Sequence, residues 1–211
     1  MVRLPKGAVV LLAALLLAPA APAATQAADP LSLGMGVAGD TPLDKNLLRN
    51  PGFEAQTATA GSVPGWEYGG GVRVERFGDR AWPYPAYGRK YLGGKQYLAC
   101  RGSAGYVRQT IPFSGFTDWR HPLKAHLIVD FGGRYHDVLR VTLVASGPKG
   151  SRAMTRSKPP KVTNSYKRLV AWVVLPEGTD TLVATVELLG SRSRCSMVAD
   201  TIKMAVFRPP K

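Results

Sequence analysis

Cysteine and histidine are scarce: the 211-residue chain has two Cys and three His. That excludes a self-contained Cys₂His₂ or Cys₄ zinc site. Acid is scarce too, with 14 Asp and Glu against 28 Lys and Arg, a formal charge of +14. Beyond the opening residues, no apolar run approaches the ~20 positions that a membrane-spanning helix needs. Nor does any later stretch repeat its apolar residues with the ~3.6-residue period of a helix. Glycine (23) and proline (17) are plentiful, without a triplet period or an internal repeat, which excludes a collagen-like chain and predicts many turns. What is present is 45% hydrophobic and 20% charged. That suffices for one packed domain and, at this length, not for two well-filled ones.

The first 28 residues read as a secretory signal. Arg3 and Lys6 form a positive start, Ala8–Ala18 is an apolar run, and Ala21-Pro22-Ala23 is a small-residue cleavage site, with cleavage near Ala27 or Ala28 the alternative. The protein is therefore expected to be secreted, as a monomer with no membrane span. Removing this segment leaves 26 basic and 14 acidic residues, a formal +12. In an oxidising compartment Cys100 and Cys195 are expected to pair, closing a loop of about 95 residues that stabilises by up to ~4–5 kcal/mol. Two buried free thiols are the alternative.

Residues 29–44 are rich in Gly, Pro, Asp and Ala and read as a flexible lead; 45–207 form the domain, and 208–211 a tail. From Lys45 onward, short β-type runs alternate with turn clusters. Strands are expected at Asn46–Leu48, Val72–Phe77, Gln96–Cys100, Tyr106–Ile111, Ala125–Phe131, Leu139–Ala145, Leu169–Leu175, Thr181–Leu188 and Met197–Phe207. Two apolar rows are clear: Leu139, Val141, Leu143, Ala145, and Leu182, Ala184, Val186, Leu188. These features predict an all-β, single-domain antiparallel sandwich or jelly roll. Two long loops stand out, aromatic Gly78–Gly94 and basic Ser146–Ser165. No acid lies between Asp137 and Glu177.

Catalytic motifs are missing. His121, His126 and His136 form no H-E-x-x-H and read as surface or edge residues. Gly102-Ser103-Ala104-Gly105 is not a nucleophile elbow, and Asp130-Phe131-Gly132 stands without the other kinase motifs. No pattern selects a carboxylate pair among Glu67, Glu75, Asp130 and Asp137. Arg134-Tyr135-His136 keeps a polysaccharide lyase open as a minor alternative.

The stretch Asn46-Leu47-Leu48-Arg49-Asn50-Pro51-Gly52-Phe53-Glu54, followed by Pro64-Gly65-Trp66, resembles the opening of family 4/9/22-type carbohydrate-binding modules, which are galactose-binding-like jelly rolls. Tyr106–Ile111 is similar to their V-x-Q-x-[IV] strand. Tyr166, the turn Pro176-Glu177-Gly178 and the run Asp200-Thr201-Ile202-Lys203-Met204 resemble their closing part. The likeness covers about residues 45–207. It implies a structural Ca²⁺ held by Glu54 and Asp200 with loop carbonyls, although Thr201 replaces the second Asp of the pattern; the alternative is that both carboxylates make only hydrogen bonds or ion pairs.

The resemblance also implies a non-catalytic protein that binds a poly- or oligosaccharide. Trp82, Tyr84, Tyr87 and Tyr91 of the aromatic loop, with Trp119, are the stacking candidates, and Gln96, Arg108 and Gln109 the candidates for bonding hydroxyls. A loop that packs its own aromatics is the alternative. Trp66 and Trp172 are expected to be core. The charge suggests an anionic partner, such as a cell-wall polymer, met by Lys149, Arg152, Arg156, Lys158 and Lys161; a solvated basic face is the alternative. No nucleic-acid motif is present. The other function class is an envelope-surface interaction protein that reuses the jelly roll without sugar.

Overall fold

A computed structural model describes residues 44–55, 63–77, 94–114, 122–133, 137–159, 166–190 and 195–209. They form eight strands: β1 (Glu67–Arg76), β2 (Gln96–Pro112), β3 (Lys124–Gly132), β4 (Val138–Gly147), β5 (Gly150–Lys158), β6 (Lys167–Val174), β7 (Thr181–Leu189) and β8 (Val198–Phe207). All pairings are antiparallel, in the order β5-β4-β7-β2-β8-β3-β6, with β1 alongside β2. The path folds over into a nearly closed sandwich, the all-β jelly roll expected. One layer is β5-β4-β7 with the second half of β2, and the other is β6-β3-β8 with its first half. Strands β5 and β6, at the two ends of the path, lie beside each other. Among the described residues no helix is long and apolar enough to cross a membrane.

The two apolar rows become the core. Leu139, Val141, Leu143 and Ala145 of β4, and Leu182, Ala184, Val186 and Leu188 of β7, have no solvent exposure. They oppose Ala125, Leu127, Val129 and Phe131 of β3, which are equally buried. Alternation works because successive side chains of a strand point to opposite faces, so one row can be apolar throughout.

Four expectations need correction. Gln96–Cys100 and Tyr106–Ile111 are one 17-residue strand that serves both layers. Glycines at the bend carry it round: Gly102 has φ +89°, and on the neighbouring β1 a Cβ on Gly71 would overlap the Arg101 carbonyl. Second, the basic segment is not all loop. Gly150–Lys158 is an edge strand closed onto β4 by a tight turn at Pro148-Lys149. Only Met154 and Lys158 of it are even partly buried, so it has no apolar row to announce it. Third, Asn46–Leu48 is not a strand but a segment fastened to β8. Its Asn46 amide donates to the Ile202 carbonyl (3.1 Å) and accepts from the Met204 amide (2.9 Å). Fourth, Trp172 is not core but 39% exposed, on the outer face of β6.

Cys100 and Cys195 are joined, with Cα atoms 5.5 Å apart. The bond sits at the bend of β2, where the Cys195 amide also donates to the Gly102 carbonyl (2.6 Å). Converting both cysteines to alanine should lower the unfolding free energy by about 2–5 kcal/mol in equilibrium urea titration, with the β-sheet circular dichroism retained below the transition. A variant as stable as the parent would show that the bend holds without the crosslink.

Candidate functional site

The outer face of the β5-β4-β7-β2 layer, extended by β1, carries a row of polar groups across five strands. Strand register places Glu67, Arg108, Thr185, Thr142 and Thr155 side by side, and next to them Gly69, Tyr106, Glu187, Arg140 and Ser157. Tyr106, Arg108, Thr142, Thr185 and Glu187 line a concavity of about 250 Å³. The absence of a side chain on Gly69 makes room for the aromatic ring: a Cβ there would come within 2.6 Å of a Tyr106 ring carbon.

The polar groups of this face hold one another in place. Arg108 lies 5.9 Å from the Tyr106 ring centroid and 3.6 Å from the Glu67 carboxylate. Arg140 donates to Glu187 at 3.4 Å, and the Thr142 and Thr155 hydroxyls bond at 3.1 Å. These pairs are exposed, so each adds little stability. What they do is limit side-chain freedom around an aromatic ring. Of this group only Arg108 was a sequence candidate. Tyr106, Thr142, Thr185, Glu187 and Arg140 were not, because strand register, not sequence proximity, assembles them.

The other candidates fall elsewhere. Gln109 points inward and is buried. Its side-chain oxygen accepts from the Arg49 amide (2.9 Å) and its nitrogen donates to the Arg49 carbonyl (2.8 Å). It is a fastener for the N-terminal segment, not a ligand group. Gln96 is also buried, with its amide donating to Glu54 at 2.8 Å. Trp66 is buried, as expected, and its indole donates to the Asn50 carbonyl (3.1 Å). Trp82, Tyr84, Tyr87, Tyr91, Trp119 and Lys161 lie outside the described residues. Lys149 pairs with Glu177 at 2.5 Å. Arg152, Arg156 and Lys158 stand in register with Ala145, Val141 and Leu139, on the same face of their sheet as those core residues. Arg152 and Arg156 are nonetheless exposed, and cations on an edge strand deter pairing with another chain.

Glu54 and Asp200 meet beside Gly52, where an added Cβ would lie 3.7 Å from Asp200 Oδ1 and 3.8 Å from Glu54 Cγ. Glu54 Oε1 accepts from the Lys95 (2.7 Å) and Gln96 (2.8 Å) amides. Asp200 has no solvent exposure; its Oδ1 accepts from the Thr201 amide (2.6 Å), and its Oδ2 has no hydrogen-bond partner among the described residues. Burial pushes the Asp200 carboxyl up to about 8; the Thr201 amide opposes this, and the Glu54 and Asp130 carboxylates reinforce it. Asp130 itself is neutralised by a bidentate pair with Arg168, both bonds 2.8 Å. Among the described residues no group of three His, Cys, Asp or Glu could hold a metal. A hard cation here would need backbone carbonyls besides the two carboxylates, and the orphaned Asp200 oxygen fits such a ligand.

No protein-family model matches the chain, and no curated protein matches it by sequence. Solved structures do match its fold. The carbohydrate-binding module TmCBM61, solved with β-1,4-galactotriose, aligns with a TM-score of 0.53 at 16% identity, over 78% of this chain and 99% of that one. A Stig cyclase from Fischerella sp. TAU, solved with an indole compound, aligns with a TM-score of 0.57 at 14% identity, over 78% and 98%. At such identities the likeness is one of fold. A glycan binder and a cyclase share it, so function has to be argued from the site.

A carboxyl whose native pKa lies above its unfolded value retains a proton that the unfolded chain has lost. The metal-free protein should therefore lose stability as pH rises from about 4 through about 8. A Ca²⁺ bound at this pair would replace that proton, and would then raise the melting temperature more at pH 8 than at pH 5. Asp200→Asn should fold, show a flatter pH profile and ignore both Ca²⁺ and EDTA. Melting curves unchanged by EDTA and Ca²⁺ at both pH values would leave the pair as hydrogen-bonding groups.

Proposed function

We propose that this protein is an exported, non-catalytic glycan-binding protein. The carrying observation is the outer-face concavity, which one tyrosine lines with an arginine, a glutamate and two threonines, while Arg140 bonds the glutamate from the neighbouring strand. Sugar rings have apolar C–H faces and a periphery of hydroxyls that both donate and accept. Tyr106 offers the stacking surface, Arg108 and Arg140 offer donors, and Glu187 an acceptor. Thr142 and Thr185 do either. The fold supports the reading, since TmCBM61 uses it and was solved with a galactotriose. Trp82, Tyr84, Tyr87, Tyr91 and Trp119 remain candidates for further stacking on sequence grounds.

In this reading a Ca²⁺ at Glu54 and Asp200 is structural: it neutralises the buried Asp200 together with the exposed Glu54 and ties the N-terminal segment to β8. An anionic glycan or cell-wall polymer is the partner suited to the charge. Arg152, Arg156 and Lys158 supply a cationic row along β5, with Lys149 partly compensated by Glu177.

A glycan array spanning neutral and acidic polysaccharides tests the proposal. Tyr106→Ala should weaken the best ligand about tenfold, the equivalent of ~1.4 kcal/mol, with the melting temperature little changed. Replacing Arg152, Arg156 and Lys158 together by Ser should weaken acidic ligands only. Their binding should also fall steeply as salt rises from about 0.1 M to 1 M, where the Debye length shrinks from ~10 Å to ~3 Å. An array with no hits, or hits indifferent to Tyr106→Ala, would remove this face as the site.

A further inference from the structure

The outer face of the other layer has a different chemistry. On β6, β3 and β8, register sets Trp172 beside His126 and Ala205, and Val170 beside Ile128 and Lys203. Val174, Lys124 and Phe207 form the next row. Trp172 is 39% exposed, the one large hydrophobic side chain so exposed among the described residues. The Lys124 ammonium lies 5.1 Å from its ring centroid, and His126 packs edge-on against Phe207 at 4.1 Å. No acid occupies these three rows. The next acid along β3, Asp130, is taken by Arg168. Beside β6 runs β5, whose Arg152, Arg156 and Lys158 have no acidic partner among the described residues.

An apolar sheet face with an exposed tryptophan marks a contact surface. Its occupant follows from what the face can satisfy. Valine, isoleucine and phenylalanine side chains offer nothing to sugar hydroxyls, so a neutral glycan fits the Tyr106 face and not this one. A second copy would bring Lys124 and Lys203 against their own equivalents with no acid between them. An anionic bilayer surface satisfies both halves. The indole and aliphatic groups enter the headgroup–acyl boundary, where tryptophan is favoured, while the lysines keep their stems on apolar surface and their ammonium groups at lipid phosphates. We propose that the Trp172 face docks the protein peripherally on an anionic lipid surface. This is independent of the glycan reading, which uses the opposite outer face.

Co-sedimentation of the full chain with vesicles of phosphatidylglycerol and phosphatidylcholine in equal parts, against phosphatidylcholine alone, tests it at about 0.1 M salt. Any contribution of the apolar N-terminal run is common to every arm, so differences between arms are the readout. Phosphatidylglycerol should bind more protein. Lys124→Ser with Lys203→Ser should weaken that binding about fivefold for each charge removed, and Trp172→Ala several-fold. A blue shift of tryptophan fluorescence on anionic vesicles should vanish in Trp172→Phe. These side chains lie on the outer face, so the variants should melt with the parent. Tyr106→Ala should bind vesicles normally, and Trp172→Ala should bind glycan normally, which separates this proposal from the glycan reading. Equal vesicle binding by the parent, Trp172→Ala and the lysine pair variant would overturn the proposal, leaving attraction by net charge alone. Absence of vesicle binding would overturn it too. Loss of oligouronate binding in Trp172→Ala without any vesicle effect would assign the face to an acidic glycan instead.

Discussion

One strand belongs to both layers, and the rest of the structure is arranged around that fact. β2 pairs with β8 through Leu98 and Ala99, then with β7 from Ala104 to Pro112. Its inward positions change parity on the way. Leu98 and Cys100 face the core before the bend, and Val107 and Gln109 after it. The disulfide to Cys195 and the Gly102–Cys195 backbone bond pin the place where parity changes. A crosslink there restricts the unfolded chain across 95 residues and keeps both halves of β2 in register with their partners. Which residues of β2 face outward follows from this, and so does the position of Tyr106 and Arg108.

The residues that make the sequence resemble a carbohydrate-binding module are mostly fastenings. Asn46 stitches the N-terminal segment onto β8. Asn50 bonds the Pro64 carbonyl and the Ala55 amide (both 3.0 Å), and its own carbonyl accepts from Trp66. Phe53 is fully buried with its ring 5.9 Å from that of Trp66, and Gln109 closes on Arg49. Each answers a general demand: a segment lying across the end of a sandwich has backbone groups that no strand pairs, and buried ones must find partners. A motif built of such residues reports the fold and is silent on the ligand. That agrees with a fold shared by a galactotriose-binding module and a cyclase.

The two outer faces divide the surface chemistry. One is polar and internally paired, with arginines answered by glutamates. The other is apolar, with Lys124 and Lys203 in rows that hold no acid. Strands β3 and β8 hold two buried acids in register, Asp130 and Asp200, and Arg168 pairs with Asp130. A buried carboxylate without a partner is costly enough that it protonates or recruits a cation. The Asp200 carboxyl is thus the point at which folding becomes sensitive to protons.

The sequence by itself determined the class of fold and its core. Period-two rows in β4 and β7 can bury one face only as strands, and the same residues prove fully buried. It also pointed to the Cys100–Cys195 pair, with free thiols as the alternative, and to the burial of Trp66, and the structure has both. Long-range register decided the rest. The basic segment became an edge strand because β4 had a free edge to pair, and its Arg and Ser residues carry no periodic apolar signal. Trp172, between valines, reads as core in one dimension, yet it alternates with the buried Ala171 and Val173 and therefore points outward. The Tyr106 face gathers residues 67, 106, 108, 142, 185 and 187 from four strands. No local pattern could join them, because side chains on neighbouring strands meet through backbone pairing and not through their spacing along the chain.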